Sequence, residues 1–459
     1  MAQTPDPTQL SSPTGMPRLR RVLTLWDLVF YGIILVMPIA PIPLFGIAQK
    51  LSRGHFVSTI LVAMVAMMLT AVSYGRMAAR YPAAGSAYTY VGRGLNPHLG
   101  FLTGWAMVLD YLIQPLFNGI LGALTIQRFF PEIPYPVLAA LFIGFMTFLN
   151  LRGIRTTARA SLVLMAFMCT VIGAFVLLAL RYLFHTAGWH GIFSLEPFYN
   201  PRTFDLRTMW TGTSFAALTY IGFDGVTTLA EDVENPRQNI MRAILLVCLF
   251  TGIAGGLQVY LGQRVWPDYA TFPQLETAFM DVTRRVGGQT LFQALGVVLI
   301  LSCVGAGLTG QVGVARLLFG MGRDNVIPRG FFAYLDPKRN TPTRNIWLIG
   351  IVAYIGAMLI SYEQAGEILN FGAFLAFMGV NLATFWQFAV LRQPGRRRRW
   401  FVDIVMPLSG FLFCLWIWLG LKTPAKVVGG LWLLAGLAYG AFKTRGFQAA
   451  PAMIDFTEL

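Results

Sequence analysis

The stretch Tyr31-Gly32-Ile33-Ile34-Leu35-Val36-Met37-Pro38-Ile39-Ala40-Pro41-Ile42-Pro43-Leu44-Phe45-Gly46 decides the kind of molecule this is. It is apolar from end to end, yet it carries three prolines within six residues. Each proline lacks an amide donor, and its ring excludes the carbonyl four residues back, so one continuous helix is ruled out. A segment surrounded by hydrocarbon must satisfy its own backbone, and a break is tolerated only where protein or a water-filled cavity takes over. The stretch therefore predicts a rod that enters a membrane, unwinds at mid-depth and resumes.

A second segment breaks the same rule by other means: Leu218-Thr219-Tyr220-Ile221-Gly222-Phe223-Asp224-Gly225-Val226-Thr227-Thr228. Two glycines bracket an ionisable residue inside an apolar run. A carboxylate at membrane depth is costly and marks a functional position by default. Further runs follow at 57–75, 99–125, 133–151, 160–184, 241–263, 288–319, 345–361, 366–391, 403–421 and 427–442, beside the two broken ones at 25–47 and 209–230. That makes about twelve spans of the length a bilayer requires, roughly 20 residues each. The broken runs stand first and sixth, which are equivalent places if ten spans form two halves of five. Paired interrupted helices at matching places point to a substrate site at the membrane midplane of a secondary transporter.

The composition agrees. Of 459 residues, 56% are hydrophobic and only 12% charged, about half the charged share of a soluble protein. The runs do not alternate apolar and polar residues, which excludes a transmembrane β-barrel. The expected fold is thus an all-α integral membrane protein. Its organisation is a tail over 1–22, five-helix halves over 23–184 and 209–392, a last helix pair over 400–443 and a tail over 444–459. The net charge of +15 belongs to the loops. Lys and Arg are about twice as frequent on the side holding both termini, which places those termini in the cytoplasm of a cell membrane. A basic patch interleaved with exposed aromatics is absent, so nucleic acid is not an expected partner. Cys169, Cys248, Cys303 and Cys414 all lie in apolar runs and read as packing residues. Neither HExxH nor GxSxG occurs among the spans, so no catalytic residue, metal or cofactor is assigned and an embedded enzyme is a remote alternative.

Several motifs carry a resemblance. Gly85-Ser86-Ala87-Tyr88-Thr89-Tyr90, Asn96-Pro97-His98 and Gly104-Trp105, with Gly222-Phe223-Asp224, Glu231, Asn235 and Pro236, resemble the amino acid–polyamine–organocation permeases. Leu109-Asp110-Tyr111-Leu112 with Pro115, Asp224 to Leu229, Met321 to Val326 with Pro328, and Asn370-Phe371-Gly372-Ala373 are similar to the bacterial putrescine importer branch. The resemblance implies a five-plus-five inverted repeat with discontinuous helices 1 and 6. Substrate would sit between them, walled by spans three, eight and ten. By position it places Val36, Met37 and Pro38, with Ile39, where such permeases have a Gly-rich unwound triplet. It places Leu218, Thr219, Tyr220 and Gly222 at the sixth-span gate, and Asp224 at a position linked to proton coupling.

The departures bear on substrate. A Gly-rich triplet offers amides to an amino acid's carboxylate, whereas Pro38 has none. Against a diamine, an acid that the importer branch carries after this break is replaced by Pro43. A lysine of the fifth span corresponds to Met168, and a histidine of the eighth to Gln311. The expected function is import of a small amine or polyamine, driven by protons or the membrane potential. The alternative is a proton-coupled amino-acid permease. Asp110 and Asp224, with Tyr111 and Tyr220, are the expected cation-binding groups, because a buried ammonium needs carboxylates or aromatic faces. Glu231 with Arg20 and Arg21, or with the Arg76/Arg80 loop, is the expected cytoplasmic gate. The oligomeric state is not legible.

Overall fold

A computed structural model describes residues 23–81, 86–153, 158–230, 233–323, 327–337, 339, 341–391 and 399–448. The first rod begins at Thr24. Its hydroxyl accepts from the Asp27 amide while Asp27 accepts from the Thr24 amide at 2.9 Å, a reciprocal cap that starts α1 (Leu25–Val36). The helix stops at Val36 and the chain runs through turns over 37–44. It then resumes as α2 (Phe45–Leu51). The proline-rich stretch thus unwinds where the sequence predicts.

Next come α3 (Phe56–Arg80), α4 (Ser86–Gly94), α5 (Pro97–Gln127), α6 (Tyr135–Leu151) and α7 (Ala158–Ile192). The sixth rod is α8 (Leu206–Ala216), which tightens into a 3-10 turn at Ala217–Tyr220. It then reverses at Gly222 and continues as a second 3-10 turn, Phe223–Leu229. After it follow α9 (Pro236–Val265), α10 (Ala278–Arg323, kinked at Gly288), the single turn α11 (Arg329–Phe332) and α12 (Thr343–Leu359). The chain ends with α13 (Tyr362–Phe385), α14 (Met406–Leu419) and α15 (Thr423–Lys443).

Eight described helices are long and apolar enough to cross a membrane. The shorter α6 and α12 and the two broken rods complete the twelve crossings. The first and sixth rods run antiparallel, because four crossings, an even number, lie between them. Among the described residues three helical segments fall outside the apolar runs: α4, the single turn α11, and the arm of α10 before Gly288. All three are too short or too polar to stand out as apolar stretches.

The broken rods sit between two packed regions. At the α2 end, Phe45 meets Phe279 edge-on at 5.1 Å, and Phe279 contacts Phe175 at 4.8 Å. At the α1 end, Phe223 packs against Tyr74 and Phe377 with centroids 5.7 and 5.1 Å away. Phe215 and Phe223 are fully buried. Trp105 and Trp432 stack at 5.0 Å and exchange indole-to-carbonyl hydrogen bonds of 2.8 Å, which fixes α15 on α5. Cys248, Cys303 and Cys414 are buried, but Cys169 is exposed on the outer face of α7, so its side is not a packing side.

Candidate functional site

The two breaks face each other. Gly222 has φ +106°, a left-handed conformation that residues with a Cβ rarely adopt. A Cβ there would also stand 3.3 Å from the Leu35 carbonyl, so the sixth rod passes against the last turn of α1. Met37 takes φ +67° as it leaves α1. Around them the backbone is held by side chains from neighbouring helices. Gln258 of α9 donates to the Pro38 carbonyl at 3.0 Å. Asn370 of α13 donates to the Ser214 carbonyl at 2.7 Å, near the end of α8. The Tyr220 hydroxyl donates to the Ile60 carbonyl of α3 at 2.8 Å. Gly372 lets α13 approach α5 closely, since a Cβ there would lie 2.5 Å from the Ala106 carbonyl.

The inventory of backbone groups in the first break is lopsided. The amides of Met37, Ala40, Ile42 and Leu44 are donated to Ile33, Met37, Ile39 and Pro41, and three more positions are prolines. Pro38 has no amide to give Ile34. Pro115, inside α5, has none to give Tyr111. The Ile34 and Tyr111 carbonyls are thereby left without their usual helical donor.

A cavity of about 130 Å³ opens beside the breaks. From the rods it is lined by Val36, Met37, Ile39, Pro43, Leu218 and Ile221. Gln114, Phe117 and Asn118 of α5, Ser302 and Cys303 of α10, and Tyr362 and Leu369 of α13 close the other sides. Phe117 and Tyr362 stack with centroids 4.2 Å apart in the cavity wall. Further out, Arg128 at the end of α5 forms a largely buried ion pair with Asp281 on the arm of α10.

Toward the α1 end lie two acids. Asp110 precedes Gln114 by one helical turn, and Asp224 follows Ile221 by three residues; both residues are half-buried. Tyr111 is 38% exposed although it lies in the middle of α5. Asp110 and Tyr111 lie near Asp224, and Tyr31 lies near Tyr111. Ser86 of α4 lies beside the Asp224 carboxyl, and the Thr227 hydroxyl donates to the Asp224 carbonyl at 2.7 Å.

Of the residues expected from sequence, Val36, Met37, Ile39 and Leu218 line the cavity. Asp110, Tyr111 and Asp224 form a cluster just beyond it. Pro38 and Gly222 shape the backbone, Thr219 is buried, and the Tyr220 hydroxyl is committed to α3. Gln114, Asn118, Ser302 and Tyr362 were not singled out. The available signal was i, i+4 spacing on α5, which puts Asp110, Gln114 and Asn118 on one face. Gln311 is tied to Asn150, Thr147 and the Ile346 carbonyl, and serves α6–α10–α12 packing instead. Met168 is buried in α7. Arg20, Arg21 and Glu231 lie outside the described residues. Arg76 pairs with buried Asp403 and sits 3.9 Å over the Phe388 ring, at the start of the eleventh span.

Comparison with known proteins places this geometry. The chain belongs to the amino acid permease family, whose profile matches residues 25–444, and it is therefore a multi-pass membrane transporter. It is 31% identical over 436 residues to the low-affinity putrescine importer PlaP of Escherichia coli (strain K12), covering 95% of this chain and 96% of that protein. It is 25% identical to the branched-chain amino acid permease BcaP of Lactococcus lactis (93% and 95% covered). It is 26% identical to the methylthioribose transporter of Bacillus subtilis (93% and 94% covered).

Proposed function

We propose that the protein imports a small organic amine or polyamine across a cell membrane by alternating access. The α1 end is assigned to the cytoplasm, with both termini there, from the distribution of Lys and Arg. The outer closure is then assigned to Phe117, Tyr362 and the Arg128–Asp281 pair. The two moving halves are residues 23–184 and 209–392, with 400–443 as a peripheral pair. Arg20, Arg21 and Glu231 are assigned to the inner gate that must form when the outer one opens.

One observation carries the reading. The first break has used or lost almost all of its amide donors, while two carboxylates, Asp110 and Asp224, stand at its mouth. An amino acid's carboxylate would meet acceptors and acids there; an ammonium would meet the partners it needs. The putrescine importer among the relatives is in keeping with this, and the amino-acid permeases among them represent the alternative. An inside-negative potential contributes about 2.3 kcal/mol per 100 mV for each positive charge carried inward.

Asp224 is assigned the coupling proton, because it sits at the break and shares its surroundings with Asp110. Purified protein in proteoliposomes with an imposed inside-negative potential should accumulate a labelled amine, and Asp224→Asn should abolish the response of uptake to a pH gradient. Uptake of amino acids with no response to amines would overturn the assignment. Pumping by Asp224→Asn with undiminished pH response would remove the proton from that residue.

A further inference from the structure

We propose that the substrate carries a single ammonium on an uncharged tail: the head binds between Asp110 and Asp224, and the tail enters the cavity beyond Gln114. The inference rests on the amine reading and narrows it. Both acids lie at one end of the site. Asp110 is one turn of α5, about 6 Å, from Gln114 at the cavity wall, and Asp224 follows wall residue Ile221. Beyond that line, no residue lining the cavity carries a charge. Pro43, Leu121 and Leu299 are apolar, and the polar contributions come from Gln114, Asn118, Ser302 and the Tyr362 hydroxyl.

A second ammonium reaching this cavity would leave water without a carboxylate to meet it, and burying an unpaired charge is prohibitive. An aromatic face attracts an ammonium less than a carboxylate does. Phe117 and Tyr362 are stacked on each other, so each covers a face of its neighbour. A short methylene chain, or one ending in a hydroxyl or amide, meets what the walls offer: apolar carbons and four neutral polar side chains. Two acids around one ammonium also leave one carboxyl for a proton, which matches symport of a monocation with a proton.

The test compares two molecules of equal length. Detergent-purified protein is titrated with n-butylamine and with 1,4-diaminobutane, and the melting temperature is followed. Butylamine should stabilise the protein at a concentration at least ten times lower than diaminobutane. Placing an acid in the cavity, by Ser302→Asp or, should that variant not fold, by Pro43→Glu, should close or reverse the gap. Equal or stronger stabilisation by diaminobutane in the unmodified protein would overturn the proposal while leaving the amine reading intact. Folded acid variants whose preference is unchanged would refute the tail's placement in this cavity. Stabilisation by neither amine would instead overturn the amine reading, and this inference with it.

Discussion

The two interrupted rods reach the same end by opposite chemistry. In the first, prolines take donors away, and four of the remaining amides close short turns among themselves. The result is an apolar wall with spare carbonyls. In the second, Gly222 supplies a φ of +106° that turns the chain without removing a donor, and Asp224 follows two residues on. The result is a charged corner. The lesson is that a break is not a generic binding site: its chemistry is set by how the helix was broken. Proline breaks are poor hosts for anions, and a glycine break is neutral until a side chain gives it a sign.

The largest expected effect comes from removing that sign. Asp224→Asn and Asp110→Asn should each lower amine uptake by on the order of 100-fold, about 2.7 kcal/mol, within the range for truncating one partner of a buried charge pair. A loss confined to Asp224 would mean that Asp110 is a packing residue and the corner stands alone. Restoring donors attacks the other break. The triple change Pro38→Ala, Pro41→Ala and Pro43→Ala should keep or raise the melting temperature while cutting uptake at least tenfold, because a healed helix no longer opens a cavity. Uptake at the original level would show that the unwinding is incidental.

Much of this contrast was legible in the sequence, since prolines and glycines act on the backbone wherever they stand. The prolines at 38, 41 and 43, and Gly222 beside Asp224, fixed the place of both breaks before any packing was known. The cavity was not legible to the same degree. Gln114, Ser302 and Tyr362 come from three helices far apart in the chain, and only packing of α5, α10 and α13 brings them together. Tyr220 illustrates the converse. A tyrosine beside a break reads as a gate, yet its hydroxyl is donated to Ile60, a partner 160 residues away. Arg76 likewise found Asp403, across a separation no local pattern reveals.

Smaller changes sharpen the comparison. Gly222→Ala should lower uptake by about tenfold, as a Cβ in left-handed backbone costs roughly 1–2 kcal/mol and would also crowd Leu35. The equivalent position in the first break, Met37, already carries a side chain at φ +67°, so Met37→Gly should be stabilising or neutral in a melting experiment. Smaller still, Gln258→Ala leaves the Pro38 carbonyl without its donor. It should cost about 1 kcal/mol of stability with little change in amine preference.

The most direct measurement is ligand-induced stabilisation of the folded protein by a small amine, compared between the natural chain and Asp110→Asn/Asp224→Asn. Ligand that binds only the native state raises its apparent stability, by an amount that grows with the logarithm of its concentration over Kd. With the acids in place, millimolar n-butylamine should raise the melting temperature, and with both neutralised the unliganded melt should persist while the shift vanishes. An undiminished shift in the double variant would mean that the cation is held elsewhere, and that the charged corner between the two breaks is not the site.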